Sequence, residues 1–172
     1  MRLFVAINFN DETRSELVKI QRRVKSSTAR GRFPDPVNFH LTLAFLGECD
    51  TKQLHAAESV LSSMIFAPFE LTFERVGRFR RRGGDLWWAG IRLTPELEKI
   101  HAELSQGLTS LGFNLDIRPF RPHVTLARQV VGSIVLPNPP AFSETIRSIE
   151  LMDSTRVNGR LTYKPLFSVA SH

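Results

Sequence analysis

"FHLTLAFLGE" (residues 39–48) and "PHVTLARQVV" (residues 122–131) share the string His-x-Thr-Leu-Ala, which opens on His40 in the first copy and on His123 in the second. In both copies polar and apolar residues alternate, and this period of two is typical of a β-strand with one buried face. Buried strands readily repeat leucine and valine, whereas histidine is seldom part of such a repeat. The duplication therefore indicates two equivalent strands whose histidines are kept for their chemistry.

The repeat extends beyond these two strings. His123 lies 83 residues after His40, and the same spacing separates "LFVA" (residues 3–6) from "LWWA" (residues 86–89). Each copy begins a strand–helix–strand unit that ends in His-x-Thr-Leu-Ala. The period is too long for a solenoid repeat. We predict an internal duplication that folds into two lobes related by a pseudo-dyad, with the helices on the outer faces of the sheets.

Capping residues and hydrophobic spacing predict three helices. Asn10 is a candidate N-cap for the first, and residues 51–66 form the second. The third begins at Thr94, which is followed by a proline at the first helical position, and ends at Gly112. Two of these helices lie between the strands of a repeat, as expected for strand–helix–strand units.

Further strands surround these helices. The segments with strand character outside the histidine strings are residues 2–9, 68–79 and 86–93. Residues 133–140 are predicted to be a loop because they are rich in proline. The last two segments, residues 144–157 and 159–170, are predicted to form a closing hairpin with Asn-Gly at its turn.

Length and composition are those of an ordinary globular protein. The 172 residues predict one domain, residues 1–172, made of two lobes. No apolar run approaches the length of a membrane span, and the N-terminus turns polar too early for a signal peptide, so we expect a cytoplasmic protein without membrane contact. Cys49 is the only cysteine, which excludes an internal disulfide and fits a reducing compartment.

The chain is strongly basic. Its formal net charge is +6 and its sequence pI is about 10.2. Such a balance favours polyanionic partners such as nucleic acid, but it also serves solubility, and charge alone does not decide between the two. Nothing in the sequence requires more than a monomer.

The alternation of a strand predicts which residues of each string share a face. His40, Thr42 and Ala44 should lie on one face, while the leucines between them face the opposite way. His123 and Thr125 repeat this arrangement in the second string. If the lobes face each other, two imidazoles and two hydroxyls point into one cleft.

Two imidazoles suit the cleavage of a phosphodiester. One neutral ring takes a proton from water while one charged ring gives a proton to the departing oxygen. Thr42 and Thr125 would bind the non-bridging oxygens, on which the negative charge of the transition state must be stabilised. Arg128, which follows the second string, would form a bidentate contact with the same group. This chemistry needs no metal.

A metal site is the competing use of paired histidines. Such sites usually add cysteine or carboxylate ligands at fixed spacing. Neither five-residue string contains an acidic residue, and Glu48 and Asp50 lie beyond the first. We therefore expect no metal ligands, and a metal-dependent hydrolase remains an alternative that loses activity in chelator.

These residues resemble a known family. Both strings match the two-histidine (2H) phosphoesterases, and residues 39–48 together with "PFRPHVTLAR" around His123 resemble the RNA 2′,3′-cyclic phosphodiesterases, which are often labelled 2′-5′ RNA ligases. The likeness covers nearly the whole chain. It implies an α+β fold in which two pseudo-symmetric lobes, each an antiparallel sheet flanked by helices, enclose a central cleft. It also implies hydrolysis of a 2′,3′-cyclic phosphate at an RNA end to a 2′-phosphate, without metal or organic cofactor.

The resemblance assigns a role to each residue of the two motifs. His40 matches the general acid that protonates the ribose 3′ oxygen, and His123 matches the general base that activates water. Arg128 matches the arginine that binds the phosphate, and Phe45 matches the aromatic residue that stacks on the terminal base. The two threonines of the motifs, Thr42 and Thr125, match its phosphate-binding hydroxyls.

Simple alternation does not explain two of these roles. Phe45 and Arg128 each lie five residues after a motif histidine, so a regular strand would point them away from it. Their roles require the strand to end, twist or bulge after the alanine. Gly47 is placed to help in the first strand.

The segment "GRFRRRGGD", residues 77–85, concentrates arginines in a predicted loop. Arg80 and Arg81 within it are candidate contacts for an RNA backbone, although a solvated turn would have the same composition. Trp87 and Trp88 alternate in a strand, so one should be buried while the other is free to meet a base. The other aromatic residues expected at the edge of the cleft are Phe33 and Tyr163. Three histidines without a motif, His55, His101 and His172, are predicted to lie on helix surfaces or at the terminus.

Other functions remain compatible with the sequence. The same site would support reversible joining of RNA ends through a 2′-5′ linkage, or hydrolysis of a small cyclic nucleotide. An RNA- or nucleotide-binding module with dormant histidines would bind tightly and salt-sensitively without turnover. The expected partner in each case is an RNA end or a nucleotide.

Overall fold

The computed structural model describes residues 1–172, which form eight strands and three α-helices. The strands are β1 (Arg2–Asn8), β2 (His40–Glu48), β3 (Phe69–Phe79), β4 (Asp85–Ile91), β5 (His123–Val130), β6 (Phe142–Ile146), β7 (Ser148–Val157) and β8 (Arg160–Ala170). The helices are α1 (Asp11–Ser26), α2 (Thr51–Ser63) and α3 (Pro95–Ser110), and a 3-10 helix, Pro36–Asn38, precedes β2. No helix combines the length and the apolar character needed to cross a membrane.

The strands form two four-stranded antiparallel sheets. The first has the order β2-β1-β7-β8 and the second the order β5-β4-β3-β6. Each histidine strand lies at one edge of its sheet, and β2 approaches β5 where the two sheets meet. The predicted α+β fold, with two similar lobes of antiparallel sheet and flanking helices, is confirmed.

The helix starts follow their capping residues. The side chain of Asn10 accepts a hydrogen bond from the backbone of Thr13, and that of Thr94 accepts one from Leu97. Both predicted N-caps are therefore confirmed, since these bonds satisfy backbone N–H groups that have no partner inside the helix. The helix predicted over residues 51–66 is shorter than expected and ends at Ser63.

The closing hairpin differs from its prediction. Residues 144–157, read as one strand, are divided at Arg147 into the end of β6, which pairs with β3, and β7, which pairs with β1 in the other sheet. No glycine or proline marks the point at which the chain passes from one sheet to the other, so the alternating sequence pattern continues through it without a break. The turn predicted between β7 and β8 is confirmed, since Asn158 and Gly159 both have positive φ, 51° and 77°, as a type I′ turn requires.

The helices are exchanged between the lobes. Helix α1 leaves a strand of the first sheet and lies against β4, β5 and β6 of the second, while α3 leaves the second sheet and lies against β2 and α2. Leu3 of the first sheet, Leu17 of α1 and Val124 of the second sheet accordingly belong to one buried cluster. The apolar spacing predicted the helices but not which sheet each one covers.

The two repeats superpose with a slip of one residue in β1 and β4. Ile7 pairs with Leu41, and Ala89 pairs with Val124. Leu41 and Val124 are 83 residues apart, whereas Ile7 and Ala89 are 82 apart. The alignment of "LFVA" with "LWWA" is therefore wrong by one residue. A shift of one residue exchanges the two faces of a strand, so the aligned residues lie on opposite faces.

Candidate active site

A cleft of about 780 Å³ opens where the two sheets meet. Its walls come from β2, β5, the turn between β3 and β4, α3 and the segment before β5. The predicted site residues that line it are Thr42, Phe45, Arg80, Arg81, His123, Thr125 and Arg128. His40 is half-buried next to this lining, and its Nε2 lies 2.8 Å from the Thr42 hydroxyl oxygen. The structure thus brings the residues of both motifs to one place.

The two histidines are held in the same tautomer. Nδ1 of His40 lies 2.8 Å from the carbonyl oxygen of Asn38, and Nδ1 of His123 lies 2.6 Å from that of Arg121. A carbonyl oxygen only accepts hydrogen bonds, so Nδ1 carries the hydrogen in each ring. In the neutral form Nε2 is then the basic nitrogen. The hydroxyl of Thr42 donates to this nitrogen in neutral His40.

Aromatic edges fix both imidazole planes. Tyr163 meets His40 with ring centroids 5.1 Å apart at 88°, and Phe79 meets His123 at 5.3 Å and 90°. Phe4 adds a second contact to His40, at 5.0 Å. Tyr163 was predicted at the cleft edge, whereas nothing in the sequence singled out Phe4 or Phe79.

Phe33 is not at the cleft. It is partly buried and packs against a small apolar cluster that includes Val24 and Trp87. Lys25 lies over its ring, 5.6 Å from the centroid. The prediction of a cleft-edge role for Phe33 is therefore wrong, because the loop that carries it turns back onto α1.

Burial lowers the pKa of both motif histidines. For His40, burial is the main cause; the hydrogen bond to Asn38 opposes it, and the positive charge of Arg128 adds to it, as does His123. For His123, burial again lowers the pKa most, opposed by the bond to Arg121 and aided by Arg128. Because the charge of Arg128 acts on both rings, one guanidinium is shared by the two halves of the site.

A register shift in each strand brings Phe45 and Arg128 to the cleft. In β2 the pairing with β1 skips Leu43, and in β5 the pairing with β4 skips Leu126. One extra residue at each shift reverses the alternation of the strand, so Phe45 and Arg128 lie on the same face as the motif threonines. Both positions belong to the same place in the repeat, one residue after the motif threonine, so the irregularity is duplicated with the motif.

Both motif alanines are buried. Ala44 is 7% exposed and belongs to the main buried cluster, and Ala127 is 0% exposed and packs against Trp87. The expectation that each alanine lines the cleft beside the histidine and threonine is wrong for Ala127, whereas Ala44 is part of the lining although it is nearly buried. The register shift causes the difference, because it intervenes between threonine and alanine.

The backbone at Arg128 is fixed by a neighbouring loop. The N–H groups of Arg32 and Arg128 each donate to the other's carbonyl, at 2.7 and 2.8 Å. Gln129 follows in the left-handed region, with φ 54°, a conformation that is uncommon for a residue other than glycine. A Cβ at Gly84 would lie 2.5 Å from the carbonyl carbon of Gln129, so this position needs glycine.

Gln21 of α1 joins this loop to β5. Its side-chain amide donates to the carbonyl oxygens of Leu126, at 3.0 Å, and Pro34, at 2.9 Å. Gln21 is 7% exposed, one of two buried polar side chains in the protein. The sequence carried a signal for it, since Gln21 lies four residues after Leu17 on the apolar face of α1.

The arginine-rich segment forms the turn between β3 and β4. Arg80 and Arg81 line the cleft as predicted, and the guanidinium of Arg81 lies 5.7 Å from the centroid of Phe79. Arg78 forms an ion pair with Asp85 at 3.4 Å. The segment is thus a wall of the cleft and also a structured turn.

One of the two tryptophans is buried, as expected, but His101 does not lie where it was predicted. Trp87 is 4% exposed and Trp88 is half-buried, so one is core. His55 and His172 are exposed, as predicted. His101, predicted on a helix surface, instead stacks on Phe120 with centroids 3.9 Å apart at 4° and lines the cleft.

Potential metal ligands are scattered over the fold. No three His, Cys, Asp or Glu side chains come together in an arrangement that could hold a metal ion. The only cysteine, Cys49, is buried, and burial raises the pKa of its thiol.

Comparison with known proteins gives this site its context. Residues 37–145 match the model of the family described as the 2′-5′ RNA ligase superfamily, a span that contains both motifs. The chain belongs to this superfamily. The RNA 2′,3′-cyclic phosphodiesterase of Escherichia coli is 34% identical over 170 residues, which cover 96% of this chain and 93% of that protein. The RNA 2′,3′-cyclic phosphodiesterase of Archaeoglobus fulgidus is 35% identical over 129 residues, 74% of this chain and 72% of that protein.

Solved structures of superfamily members have the same fold. E. coli LigT complexed with 3′-AMP matches with a TM-score of 0.89 and 30% identity, over 99% of this chain and 97% of that one. E. coli LigT complexed with phosphate matches with a TM-score of 0.82 over 99% and 96%. The resemblance deduced from the motifs is therefore confirmed.

Proposed function

We propose that this protein hydrolyses the 2′,3′-cyclic phosphate at the end of an RNA to a 2′-phosphomonoester. The observation that carries the proposal is that His123 in the cleft and His40 next to its lining are held in the same tautomer and are both affected by the charge of Arg128. The names of the curated relatives support the same reaction. Two imidazoles around a site for one anion are what in-line cleavage of a phosphodiester requires.

The proposed reaction uses the two rings in opposite roles. His123 takes a proton from water through Nε2, and the water oxygen attacks phosphorus. His40, in its charged form, gives a proton to the ribose 3′ oxygen as the bond from phosphorus to that oxygen breaks. The bond to the 2′ oxygen remains, so the product carries a 2′-phosphate and a free 3′-hydroxyl.

The hydroxyls and the guanidinium bind the phosphate. Thr42 and Thr125 line the cleft beside their histidines, and Arg128 extends from the shifted end of β5. The short contact between His40 and Thr42 means that a phosphate oxygen bound by this hydroxyl also lies near the acid. Bound phosphate is negatively charged and therefore raises the pKa of His40, which favours the charged ring that the reaction needs.

The RNA end fits the surroundings of this centre. Phe45 is 56% exposed at the cleft and offers a ring face to the terminal base. Arg80 and Arg81 bring positive charge to the wall of the cleft, where a polynucleotide backbone would pass. Under this proposal the protein works as a cytoplasmic monomer, in a single domain of residues 1–172, without metal or organic cofactor.

One incubation tests the reaction and its metal independence. The protein, in excess EDTA, is incubated with a short RNA that ends in a 2′,3′-cyclic phosphate, and ³¹P NMR identifies the product. We expect conversion to the 2′-phosphate. A 3′-phosphate product or no turnover would contradict the proposed reaction, and activity that returns only after a divalent metal is added would contradict metal independence.

A further inference from the structure

The cleft has two walls that differ in chemistry. One is the arginine-rich turn between β3 and β4, which brings Arg80 and Arg81 to the cleft. The other is formed by α3 and the segment that connects α3 to β5. We call it the α3 wall and define it by six of its lining residues, which are His101, Ser105, Leu115, Asp116, Arg118 and Phe120. The proposed reaction uses none of these six side chains.

The charges of the α3 wall balance each other. The Nε atom of Arg118 donates to a carboxylate oxygen of Asp116 at 2.9 Å, and its backbone N–H donates to the other oxygen, also at 2.9 Å. These hydrogen bonds, first of all those of the side chain, lower the pKa of Asp116 to about 2. Burial lowers the pKa of His101, so its ring is neutral at pH 7. Unlike the arginine-rich turn, these six residues carry no net charge for a phosphate backbone.

His101 and Ser105 bring polar groups to the cleft. They are four residues apart on α3, so their side chains are neighbours on one face of the helix, and both are half-buried. Neither the imidazole nor the hydroxyl forms a hydrogen bond within the protein, whereas the hydroxyl of Ser110 on the same helix donates to the carbonyl oxygen of Gln106 at 2.6 Å. The polar atoms of His101 and Ser105 are therefore free for a bound molecule.

Stacking fixes the ring of His101. Phe120 lies parallel to it, with centroids 3.9 Å apart at 4°. In a neutral imidazole one nitrogen donates a hydrogen bond and the other accepts one, and a serine hydroxyl does both. The two side chains thus present donors and acceptors at fixed places. Such a pattern distinguishes nucleobases, because their edges differ in the order of donors and acceptors.

The α3 wall is close to the strand that carries Phe45. Helix α3 packs against β2, and Leu43 and Ala44, which precede Phe45 in this strand, line the same cleft. Phe45 is 56% exposed and offers its ring face to a base. Stacking tolerates every base, since each has a π-face. Selection among bases therefore needs polar groups from another part of the cleft.

We propose that His101 and Ser105 bind the hydrogen-bonding edge of the terminal base, so that the α3 wall makes the protein selective for the base at the cyclic-phosphate end. This inference deepens the proposed function and rests on it, because it concerns the nucleotide that carries the reacting phosphate. A base with matching groups pairs with both side chains. A base with the opposite order leaves polar groups of the cleft unpaired, which weakens its binding in the transition state.

Four RNAs that differ only in the base of the cyclic-phosphate nucleotide test this selectivity. We expect kcat/KM for the best and the worst base to differ at least about tenfold in the unmodified protein. His101→Phe keeps a ring that stacks on Phe120 but removes both ring nitrogens, and Ser105→Ala removes the hydroxyl. Each variant should narrow the range by lowering kcat/KM for the preferred base. His55→Phe and Ser110→Ala make the same changes at exposed positions and should keep the full range.

Binding provides a readout that does not depend on turnover. The affinities of the four nucleoside 2′-phosphates, measured by isothermal titration calorimetry, should follow the same order and become nearly equal in His101→Phe. Equal affinities and equal kcat/KM for the four bases in the unmodified protein would overturn the inference. So would the full range retained in both His101→Phe and Ser105→Ala. Loss of hydrolysis in the unmodified protein would instead overturn the proposed function, and the affinities would still decide whether the α3 wall selects a base.

Discussion

The backbones of Arg32 and Arg128 form a two-way hydrogen-bonded pair, with each N–H donating to the other's carbonyl at 2.7 and 2.8 Å. This pair links the end of β5 to a loop that follows α1. Gln21 ties the same two segments together from below, through the carbonyls of Leu126 and Pro34. The direction in which Arg128 projects therefore depends on groups that do not line the cleft.

Replacement of Gln21 tests this dependence. Gln21→Leu keeps an apolar helix face but leaves the buried carbonyl of Leu126 and the partly buried carbonyl of Pro34 without their donor, which costs about 1–3 kcal/mol of unfolding free energy. We expect kcat/KM on cyclic-phosphate RNA to fall about tenfold, mainly through KM, because the phosphate contact proposed for Arg128 is loosened. Urea unfolding and steady-state kinetics measure the two effects separately.

Two further variants show whether Gln21 acts through Arg128. The combination of Gln21→Leu with Arg128→Lys should lose less activity than the product of the two single losses. Gln53→Ala is the matched control: this glutamine completes the capping box of α2, away from the cleft, so its loss should lower stability and leave kcat/KM unchanged. Independent losses in the double variant would mean that Gln21 has a structural role only.

Each motif histidine should be indispensable. His40→Ala and His123→Ala each remove one proton-transfer step of the proposed reaction, and we expect kcat to fall by about 10²–10⁴-fold in either variant. Circular dichroism should show the native fold in both, and His55→Ala, which changes an exposed histidine of α2, should have full activity. A single motif variant with near-normal turnover would refute the two-imidazole reaction.

The pH dependence follows from the lowered pKa values. Burial shifts the pKa of both histidines below the ordinary value of 6.5, and the proposed reaction requires one ring to be charged and the other neutral. The bell-shaped profile of kcat/KM should therefore have its maximum below pH 6.5. The maximum of kcat should lie at higher pH, because bound phosphate raises both pKa values.

The same shifts predict acid sensitivity of the fold. A histidine whose pKa is lower in the folded state binds fewer protons there than in the unfolded chain, so the free energy of unfolding decreases as the pH falls through 6.5. Thermal unfolding between pH 7.5 and 5 should show this decrease, and inorganic phosphate should oppose it. A kcat/KM maximum above pH 7 together with a flat stability profile would contradict the assigned shifts.

Tyr163 offers a test of the burial of His40. Its ring lies perpendicular to the imidazole, with centroids 5.1 Å apart, and burial is the main cause of the lowered pKa of His40. Tyr163→Ala admits water, so the pKa of His40 measured by NMR titration should rise towards 6.5, while that of His123 should change much less. Tyr163→Phe keeps the ring edge and should leave both values unchanged; a large shift in this control would assign the effect to the hydroxyl.

The arginine-rich turn should contribute to RNA binding through its charge and should not take part in the chemical step. Arg80→Gln with Arg81→Gln should weaken RNA binding and reduce the slope of log affinity against log salt by about 1.4, or about 0.7 for each lost single-strand phosphate contact. Because the charge of Arg81 contributes to the lowered pKa of His123, kcat at saturating RNA should stay the same when it is compared at the optimal pH of each protein. An unchanged salt slope would indicate that the turn is only a structural connection.

The sequence predicted the parts of the site that follow from local pattern. The repeated His-x-Thr strings, the caps at Asn10 and Thr94 and the Asn-Gly turn all act within a few residues, and the structure has each of them. The register shifts were anticipated as a requirement for Phe45 and Arg128, but they were expected after each motif alanine, whereas the shifts at Leu43 and Leu126 come before it. A shift depends on pairing with another strand, which periodicity along one strand does not report.

Contacts between distant segments could not be predicted in this way. Two such contacts join residues that are 44 and 105 positions apart, namely that of Phe79 with His123 and that of Gln21 with Leu126. His101 was expected at a helix surface, and the pattern of α3 could not show otherwise, since its stacking partner Phe120 comes from the segment that follows the helix. Each depends on how the two lobes meet, and no single segment carries that information.

The exchange of helices has a consequence for the history of the duplication. A chain with only one strand–helix–strand unit would have had to place its helix against the sheet of a second copy, in the manner of a domain-swapped dimer. Its histidine strands would then have met at the twofold axis of that dimer, and the active centre would have existed before any fusion. The present chain can be understood as that dimer made covalent, after which the two copies of the motif were free to diverge into phenylalanine at position 45 and arginine at position 128.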